Sequence, residues 1–229
     1  MTQQLGGSSP EAFKNVITLS SDGLVNQLRN VFRLRTGDSV TLFDNSGYDY
    51  LVNIENYEKD RVTFKILETN KNTVRLDREI YLFASVVKKD NFEWISQKAT
   101  ELGVSYIVPI LSSRSEKKNL NFERLEKIVV EASEQSGRAI VPMVEEIVSL
   151  EESIKKYEKI KSICWHTDAP KFVSQNLEDV CGVYIGPEGG WSDDELRLFK
   201  ENEIPVCSLG PQILRAETAV VAALSQIVF

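Results

Sequence analysis

From Ile80 to the end of the chain, short apolar runs typical of strands alternate with segments of helical periodicity. This alternation predicts an α/β layer built on a mainly parallel sheet. The predicted strands are Ile80–Val87, Tyr106–Leu111, Ser162–His166, Gly182–Ile185 and Pro205–Leu209. The predicted helices are Phe92–Leu102, Phe122–Gly137, Leu150–Tyr157, Asp193–Glu201 and a last helix that follows the final strand.

Residues 16–67 show a different pattern, in which short β-prone runs are separated by residues typical of turns. We predict strands at Val40–Phe43, Tyr48–Ile54 and Val62–Leu67. Strands spaced this closely predict a small antiparallel β-barrel. The polar stretch Asn70–Asp77 is typical of a linker, so the predicted domains are residues 1–72 and 73–229.

The composition bounds the class of protein. A chain of 229 residues that is 42% hydrophobic can bury a substantial core. Its start lacks the basic-then-apolar order of a secretory signal, and no apolar run reaches the roughly 18 residues of a membrane helix. We therefore expect a cytoplasmic protein without membrane spans. The three cysteines are predicted to be reduced thiols rather than disulfides or zinc ligands, because they are odd in number and widely spaced.

The formal net charge of −7 argues against a nucleic-acid partner, but its distribution changes this interpretation. Residues 1–75 hold nine basic and nine acidic side chains, so the whole deficit lies in the rest of the chain. Arg29, Arg33 and Arg35 form a local basic group within the balanced part. They are either a solvated surface or a phosphate-binding patch, since phosphate attraction is a local effect.

The strongest chemical signal is the segment Gly186–Gly190, Gly-Pro-Glu-Gly-Gly, which follows a predicted strand. Glycines allow positive φ and a close approach of a ligand to the main chain. Ser192 and Glu195 have the spacing of a capping box, which marks the helix start. The segment fits a ligand cradle at the carboxyl edge of the sheet, or an ordinary strand-to-helix turn. It matches neither a Walker loop nor a dinucleotide fingerprint.

A second strand end and loop precede the last helix, from Leu209 to Ala219. Beyond it, Val220–Phe229 is almost wholly apolar, so that helix must be covered by the core or by a partner. Arg215 and Glu217 stand beside this apolar segment, where charges need each other or a polar ligand. Both an internal ion pair and a functional role remain open.

A predicted helix face, the single histidine and one tryptophan can each have either a structural or a functional role. Glu131, Gln135 and Arg138 are spaced to share one face of a predicted helix, which is either a solvated stripe or an RNA-lining surface. His166 is the only histidine, which excludes a two-histidine metal site, and it has either a structural or a pocket role. Trp191 either stacks on a ligand or packs over the start of a helix.

These blocks resemble the paired signature of the RsmE family of ribosomal RNA methyltransferases, which belongs to the SPOUT superfamily. The resemblance rests on Gly186–Gly190, Leu209-Gly210 and Ile213–Ala219, and it extends upstream through Gln97–Val104, Arg114-Ser115 and Glu131–Arg138. It implies a SPOUT fold with a C-terminal trefoil knot, preceded by a PUA-like barrel. It also implies a homodimer and S-adenosylmethionine as cofactor. Because the sulfonium already activates the methyl group, no metal is required.

The resemblance also implies roles for particular residues. The implied cofactor-binding residues are His166, Ile185, Gly186, Pro187, Glu188, Gly190, Ser208, Leu209, Gly210, Ile213, Leu214 and Arg215. The implied RNA-binding residues are Arg29, Arg33, Arg35, Arg114, Gln135 and Arg138. Arg215 is expected to orient the base, while Glu188, Glu217 and Glu131 remain alternative proton acceptors.

The expected function is methylation of N3 of a uridine in 16S ribosomal RNA, either as naked RNA or within the small ribosomal subunit. N3 carries an imide proton, so some group must accept that proton or stabilise the resulting anion. Two alternatives remain: another nucleotide-handling enzyme that uses the same glycine loop, and an RNA- or ribosome-binding SPOUT protein that methylates a different nucleotide or lacks catalysis.

Overall fold

The computed structural model describes residues 2–4, 15–74, 76–115, 119–171 and 181–229. The chain divides into two compact units, one formed by residues 1–75 with 133–141 and the other by residues 76–132 with 142–229. No helix of the described ranges is both long and apolar enough to cross a membrane.

The first unit is built on a five-stranded sheet of order β1-β3-β4-β5-β2. Its strands are β1 (Thr2–Gln4), β2 (Val16–Ser20), β3 (Ser39–Phe43), β4 (Tyr48–Tyr57) and β5 (Arg61–Lys71). The antiparallel pairing of β3 with β4 and of β4 with β5 confirms the predicted succession of strands. The sequence prediction missed β1, which pairs in parallel with β3.

Local chemistry explains the turn between β3 and β4. Asn45 and Gly47 both have positive φ, at 67° and 85°, and these are residue types that tolerate the left-handed region. Inward-facing residues such as Val52, Ile54 and Phe64 are fully or almost fully buried. A short helix, α1 (Asp22–Asn26), and the π-helical turn Gln27–Val31 cover this core with Val25 and Leu28.

The second unit is an α/β layer whose strand pairs are all parallel, as predicted. Its sheet order is β12-β10-β11-β6-β7-β8, and β9 also pairs with β7. The strands are β6 (Tyr81–Ser85), β7 (Tyr106–Leu111), β8 (Met143–Val144), β9 (Val148–Ser149), β10 (Ser162–Trp165), β11 (Gly182–Ile185) and β12 (Val206–Cys207). The helices are α2 (Lys89–Glu101), α3 (Phe122–Ser136), α4 (Leu150–Lys156), α5 (Asp193–Glu201) and α6 (Ala216–Val228). The last turn of α3, from residue 133 onwards, is counted with the first unit.

Both faces of the central strands are buried, which is why these strands read as continuous apolar runs. On one face, the rings of Phe83 and Tyr184 stack with centroids 4.3 Å apart, and Phe199 of α5 meets Tyr184 edge-on at 5.2 Å. α6 packs on α2 and on β11, so the apolar C-terminal helix lies against the sheet and a neighbouring helix. The core therefore fixes the carboxyl ends of β10 and β11.

All three cysteines are free thiols, as predicted. Cys164 is fully buried in β10, and burial raises the pKa of its thiol well above the ordinary value. Cys181 and Cys207 are only partly buried.

Gly182 occupies a position in β11 where a larger residue does not fit. A Cβ atom added there would lie 2.1 Å from the Ser162 hydroxyl and 3.1 Å from a ring atom of Phe83. We expect Gly182→Ala to lower the free energy of unfolding by about 1–3 kcal/mol, because overpacking forces neighbours out of position. Denaturant unfolding checks this expectation.

A second substitution isolates the cause of that loss. Adding Ser162→Gly to Gly182→Ala removes the hydroxyl and Cβ that the new methyl group meets. The double variant should therefore recover part of the lost stability, so the two effects should not add. Strict additivity of the two single variants would contradict this packing account.

Candidate functional site

An open cleft of about 540 Å³ lies at the carboxyl edge of the parallel sheet, within the second unit. Its walls are the segments that follow β10, β11 and β12, together with the first turn of α6. Open α/β sheets bind ligands at this edge, because the loops that leave neighbouring strands converge there.

The loop after β11 is tightly folded. The Gly190 amide donates to the Pro187 carbonyl at 2.8 Å, and Gly190 has a φ of 68°, a conformation that favours glycine. Ser192 and Glu195 form the predicted capping box, in which Ser192 Oγ accepts from the Glu195 amide and the Glu195 side chain accepts from the Ser192 amide. The glycine segment therefore runs directly into a well-defined helix start.

Trp191 closes the back of this loop. Its indole Nε1 donates to the Trp165 carbonyl at 3.1 Å, and its ring meets Phe199 edge-on at 5.0 Å. The side chain is 2% exposed, and its ring atoms lie 3.1–3.3 Å from where a Cβ on Gly186 would be. Trp191 therefore packs against Phe199 in the last turn of α5, and it also forms part of the cleft wall.

The loop after β12 forms the opposite wall. Ser208 Oγ donates to the Gly210 carbonyl at 2.9 Å and accepts from the Gly210 amide at 3.1 Å, which closes a narrow turn. The Ser208 amide donates to Pro170 at 2.8 Å, and the His166 amide donates to Cys207 at 2.9 Å. These bonds join the segment after β10 to the segment after β12.

The cleft brings together nine of the twelve residues that the resemblance assigned to the cofactor. These nine are His166, Ile185, Gly186, Pro187, Gly190, Ser208, Leu209, Gly210 and Leu214. Glu188, Ile213 and Arg215 are exposed and are not among the lining residues. Ile213 is 85% exposed, so its side chain faces solvent.

Five lining residues were not anticipated from the sequence. They are Trp165, Thr167, Gln212, Ala216 and Ala219. The two alanines lie on α6, three residues apart, so they share one helix face. No Asp, Glu, Lys or Arg belongs to the described lining, so contacts to a ligand come from main-chain groups, apolar side chains and a few neutral polar groups.

The three candidate acids are placed differently. Glu188 and Glu131 are exposed, whereas Glu217 is partly buried in the first turn of α6. Oε2 of Glu217 is enclosed and has no hydrogen-bond partner among the described residues. The described residues also show no ion pair between Arg215 and Glu217, and the Arg215 side chain makes no capping hydrogen bond.

The candidate RNA-binding residues of the first unit differ in exposure. Arg29, Arg33 and Arg35 are all exposed, and the Arg29 guanidinium lies 4.5 Å from the centre of the Tyr57 ring. Gln135 is exposed near the end of α3. Arg138 lies two residues beyond the end of α3 at Ser136 and is 7% exposed, so it does not share an exposed helix face with Glu131 and Gln135. Burial lowers the pKa of Arg138 to about 10.

Comparison with known proteins places the chain in a family. The RNA methyltransferase domain model matches residues 74–228, and the RNA methyltransferase PUA domain model matches residues 28–67. Ribosomal RNA small subunit methyltransferase E of Rickettsia conorii is 30% identical, covering 92% of this chain and 88% of its own length. The protein of the same name from Bacillus subtilis is also 30% identical, with coverages of 89% and 86%.

A solved structure supports the same relationship. The crystal structure of a ribosomal RNA small subunit methyltransferase E from Neisseria gonorrhoeae, bound to S-adenosylmethionine, is 31% identical with a TM-score of 0.86. It matches 98% of this chain and 94% of its own. The chain therefore belongs to the RNA methyltransferase family that includes the ribosomal RNA small subunit methyltransferases E.

Proposed function

We propose that this protein transfers a methyl group from S-adenosylmethionine to N3 of a uridine in 16S ribosomal RNA, in the cytoplasm. The observation that carries the proposal is the cleft between the loops after β10, β11 and β12, in a chain of this family. Its glycine-lined main chain and its apolar and neutral polar side chains fit a nucleoside with a short polar tail. When bound, the cofactor supplies an already activated methyl group.

Different residues of the cleft would make the polar and the apolar contacts to the cofactor. Main-chain groups at Gly186 and Gly210 can approach the ligand closely, because these residues have no Cβ. Ile185, Leu214 and Ala219 offer apolar contacts for an adenine ring. Because the walls are tied together by hydrogen bonds, the cleft is largely preformed, and alignment of the two reactants can supply much of the rate enhancement.

The proton on N3 must leave when the new carbon–nitrogen bond forms. We assign its acceptance to Glu217, whose Oε2 is enclosed and lacks a partner among the described residues. An enclosed carboxylate oxygen without a partner costs free energy, and a role in proton transfer would account for that cost. We assign to Arg215 the stabilisation of negative charge on the uracil carbonyl oxygens.

Two measurements test the function. Calorimetry should detect saturable binding of S-adenosylmethionine, and its absence would exclude the proposal. Transfer of labelled methyl groups to small subunits or rRNA from cells that lack the enzyme should yield 3-methyluridine after nucleoside digestion. Cofactor binding without transfer would favour a catalytically silent RNA-binding protein, and a different methylated nucleoside would assign another target.

We further propose that Arg29, Arg33 and Arg35 contact RNA phosphates. Each is exposed, and Arg29 is held against the Tyr57 ring at 4.5 Å. We expect Arg33→Ala to weaken binding to rRNA and to reduce the slope of log affinity against log salt by about 1. Cofactor affinity should not change. An unaltered salt slope would remove Arg33 from the RNA contact surface.

We also propose a homodimer and a C-terminal trefoil knot. Two large apolar side chains, Ile213 and Phe229, are 85% and 94% exposed, and contact with a second copy would remove them from water. Light scattering coupled to gel filtration tests the dimer, because a monomeric mass at micromolar concentration would contradict it.

The domain boundary between residues 72 and 73 stays a prediction.

A further inference from the structure

The turn that follows β7 is closed by hydrogen bonds and directs two donors of Ser113 towards α5. Ser112 and Ser115 close it through three hydrogen bonds: the Ser115 amide donates to the Ser112 carbonyl at 3.1 Å, the Ser112 amide donates to Ser115 Oγ at 3.2 Å, and the two hydroxyls lie 2.9 Å apart. Ser113 and Arg114 therefore lie at the tip of a turn that three hydrogen bonds hold closed. From this position both residues make hydrogen bonds to the segment that follows β11.

Arg114 uses this position to hold the glycine loop. Its Nη1 donates to the Gly189 carbonyl at 2.6 Å and to the Trp191 carbonyl at 3.2 Å. Its aliphatic carbons also lie 3.4 Å from where a Cβ on Gly189 would be. A charged donor that bridges two carbonyls of one loop restrains that loop more strongly than a neutral hydrogen bond does.

Ser113 attaches the same turn to the start of α5. The buried carboxylate of Glu195 accepts from the Ser113 amide at 2.7 Å, from Ser113 Oγ at 2.9 Å and from the Ser192 amide at 2.7 Å. Glu195 thus completes the capping box and also binds the turn after β7. In the sheet, β6 lies between β7 and β11. The Ser113–Glu195 bonds therefore join the segments that follow two strands which are not neighbours.

We propose that Arg114 is a positioning residue for the cofactor loop and not an RNA contact. Together with the Ser113–Glu195 bonds, it holds the segment Gly186–Trp191 in the shape that forms one wall of the cleft. Trp191 Nε1 holds the same segment from the other side through the Trp165 carbonyl. That the loop binds S-adenosylmethionine rests on the proposed function, whereas the restraint of the loop by Arg114 does not.

Arg114→Ala tests the inference against Arg197→Ala. Arg197 is a suitable control because it is an arginine of α5 whose side chain is 66% exposed and pairs only with the exposed Asp194 of its own helix among the described residues. We expect Arg114→Ala to raise the Kd and the KM for S-adenosylmethionine about 10-fold, since two carbonyls lose a charged donor. The Kd for rRNA should stay at the wild-type value, and Arg114→Lys should recover part of the cofactor affinity.

A second measurement needs no ligand. Hydrogen exchange of the peptide that covers Gly186–Trp191 should become faster in Arg114→Ala than in the wild type or in Arg197→Ala. Unchanged exchange together with unchanged cofactor affinity would overturn the inference. If Arg114→Ala weakened rRNA binding but left cofactor binding normal, Arg114 would be an RNA contact and the inference would be wrong. If the wild-type protein fails to bind S-adenosylmethionine, the proposed function fails, while hydrogen exchange still decides the role of Arg114.

Discussion

Replacing Arg215 with alanine is expected to lower the rate constant of methyl transfer by about 100- to 1,000-fold, the loss typical of removing one group that stabilises developing negative charge. Arg215 precedes α6 at its N-cap position, yet its side chain makes no capping hydrogen bond. The residue is exposed and forms no ion pair with Glu217 among the described residues. The melting temperature should therefore remain close to that of the wild type. Single-turnover transfer of labelled methyl groups to rRNA measures the effect.

Arg215→Lys separates charge from geometry in this prediction. Lysine keeps the positive charge but cannot make the paired hydrogen bonds of a guanidinium, so we expect an intermediate rate. Turnover at the wild-type rate in Arg215→Ala would contradict the assigned role. A larger loss of cofactor affinity than of rate would assign the side chain to the cofactor instead.

Elements of the fold were predictable where their signals are local. The strands Tyr106–Leu111 and Gly182–Ile185 and the helix Asp193–Glu201 have the predicted bounds. Each is either a buried apolar run or a segment that starts at a capping box, and such signals do not depend on distant residues.

Elements that depend on a distant partner were predicted less well. β1 consists of Thr2-Gln3-Gln4, has no apolar alternation, and exists through its pairing with β3. The last strand was predicted as Pro205–Leu209 but covers only Val206–Cys207. β12 is an edge strand that pairs with β10 alone, so its extent is set by that neighbour and not by its own apolar run.

The candidate site shows the same division. Its glycine loops could be located from the sequence, because glycine at strand ends has a specific conformational meaning. The roles of Trp165 and Ala219 as lining residues could not, since both have the composition of ordinary core positions. The contact of Arg114 with Gly189 joins residues 75 positions apart, and no local pattern encodes it.

Gly186→Ala is the second substitution for which we expect a large effect. The new methyl group would lie 3.1–3.3 Å from three atoms of the Trp191 indole, closer than ordinary van der Waals contact. The indole cannot withdraw easily, because it donates to the Trp165 carbonyl at 3.1 Å and packs edge-on against Phe199. The loop must therefore move instead, and that loop is a wall of the cleft.

We expect Gly186→Ala to raise the Kd for S-adenosylmethionine at least about 10-fold, which corresponds to about 1.4 kcal/mol, and to reduce the free energy of unfolding by about 1–3 kcal/mol. Gly189→Ala is the matched control in the same loop. Its added Cβ would meet Arg114 carbon atoms at 3.4 Å, which is ordinary van der Waals contact, so neither the loop nor the Arg114 hydrogen bonds need to move. Calorimetry and thermal unfolding of both variants provide the measurement. Equal behaviour of the two would show that contact with the indole does not fix the shape of the loop, because only Gly186 faces that ring.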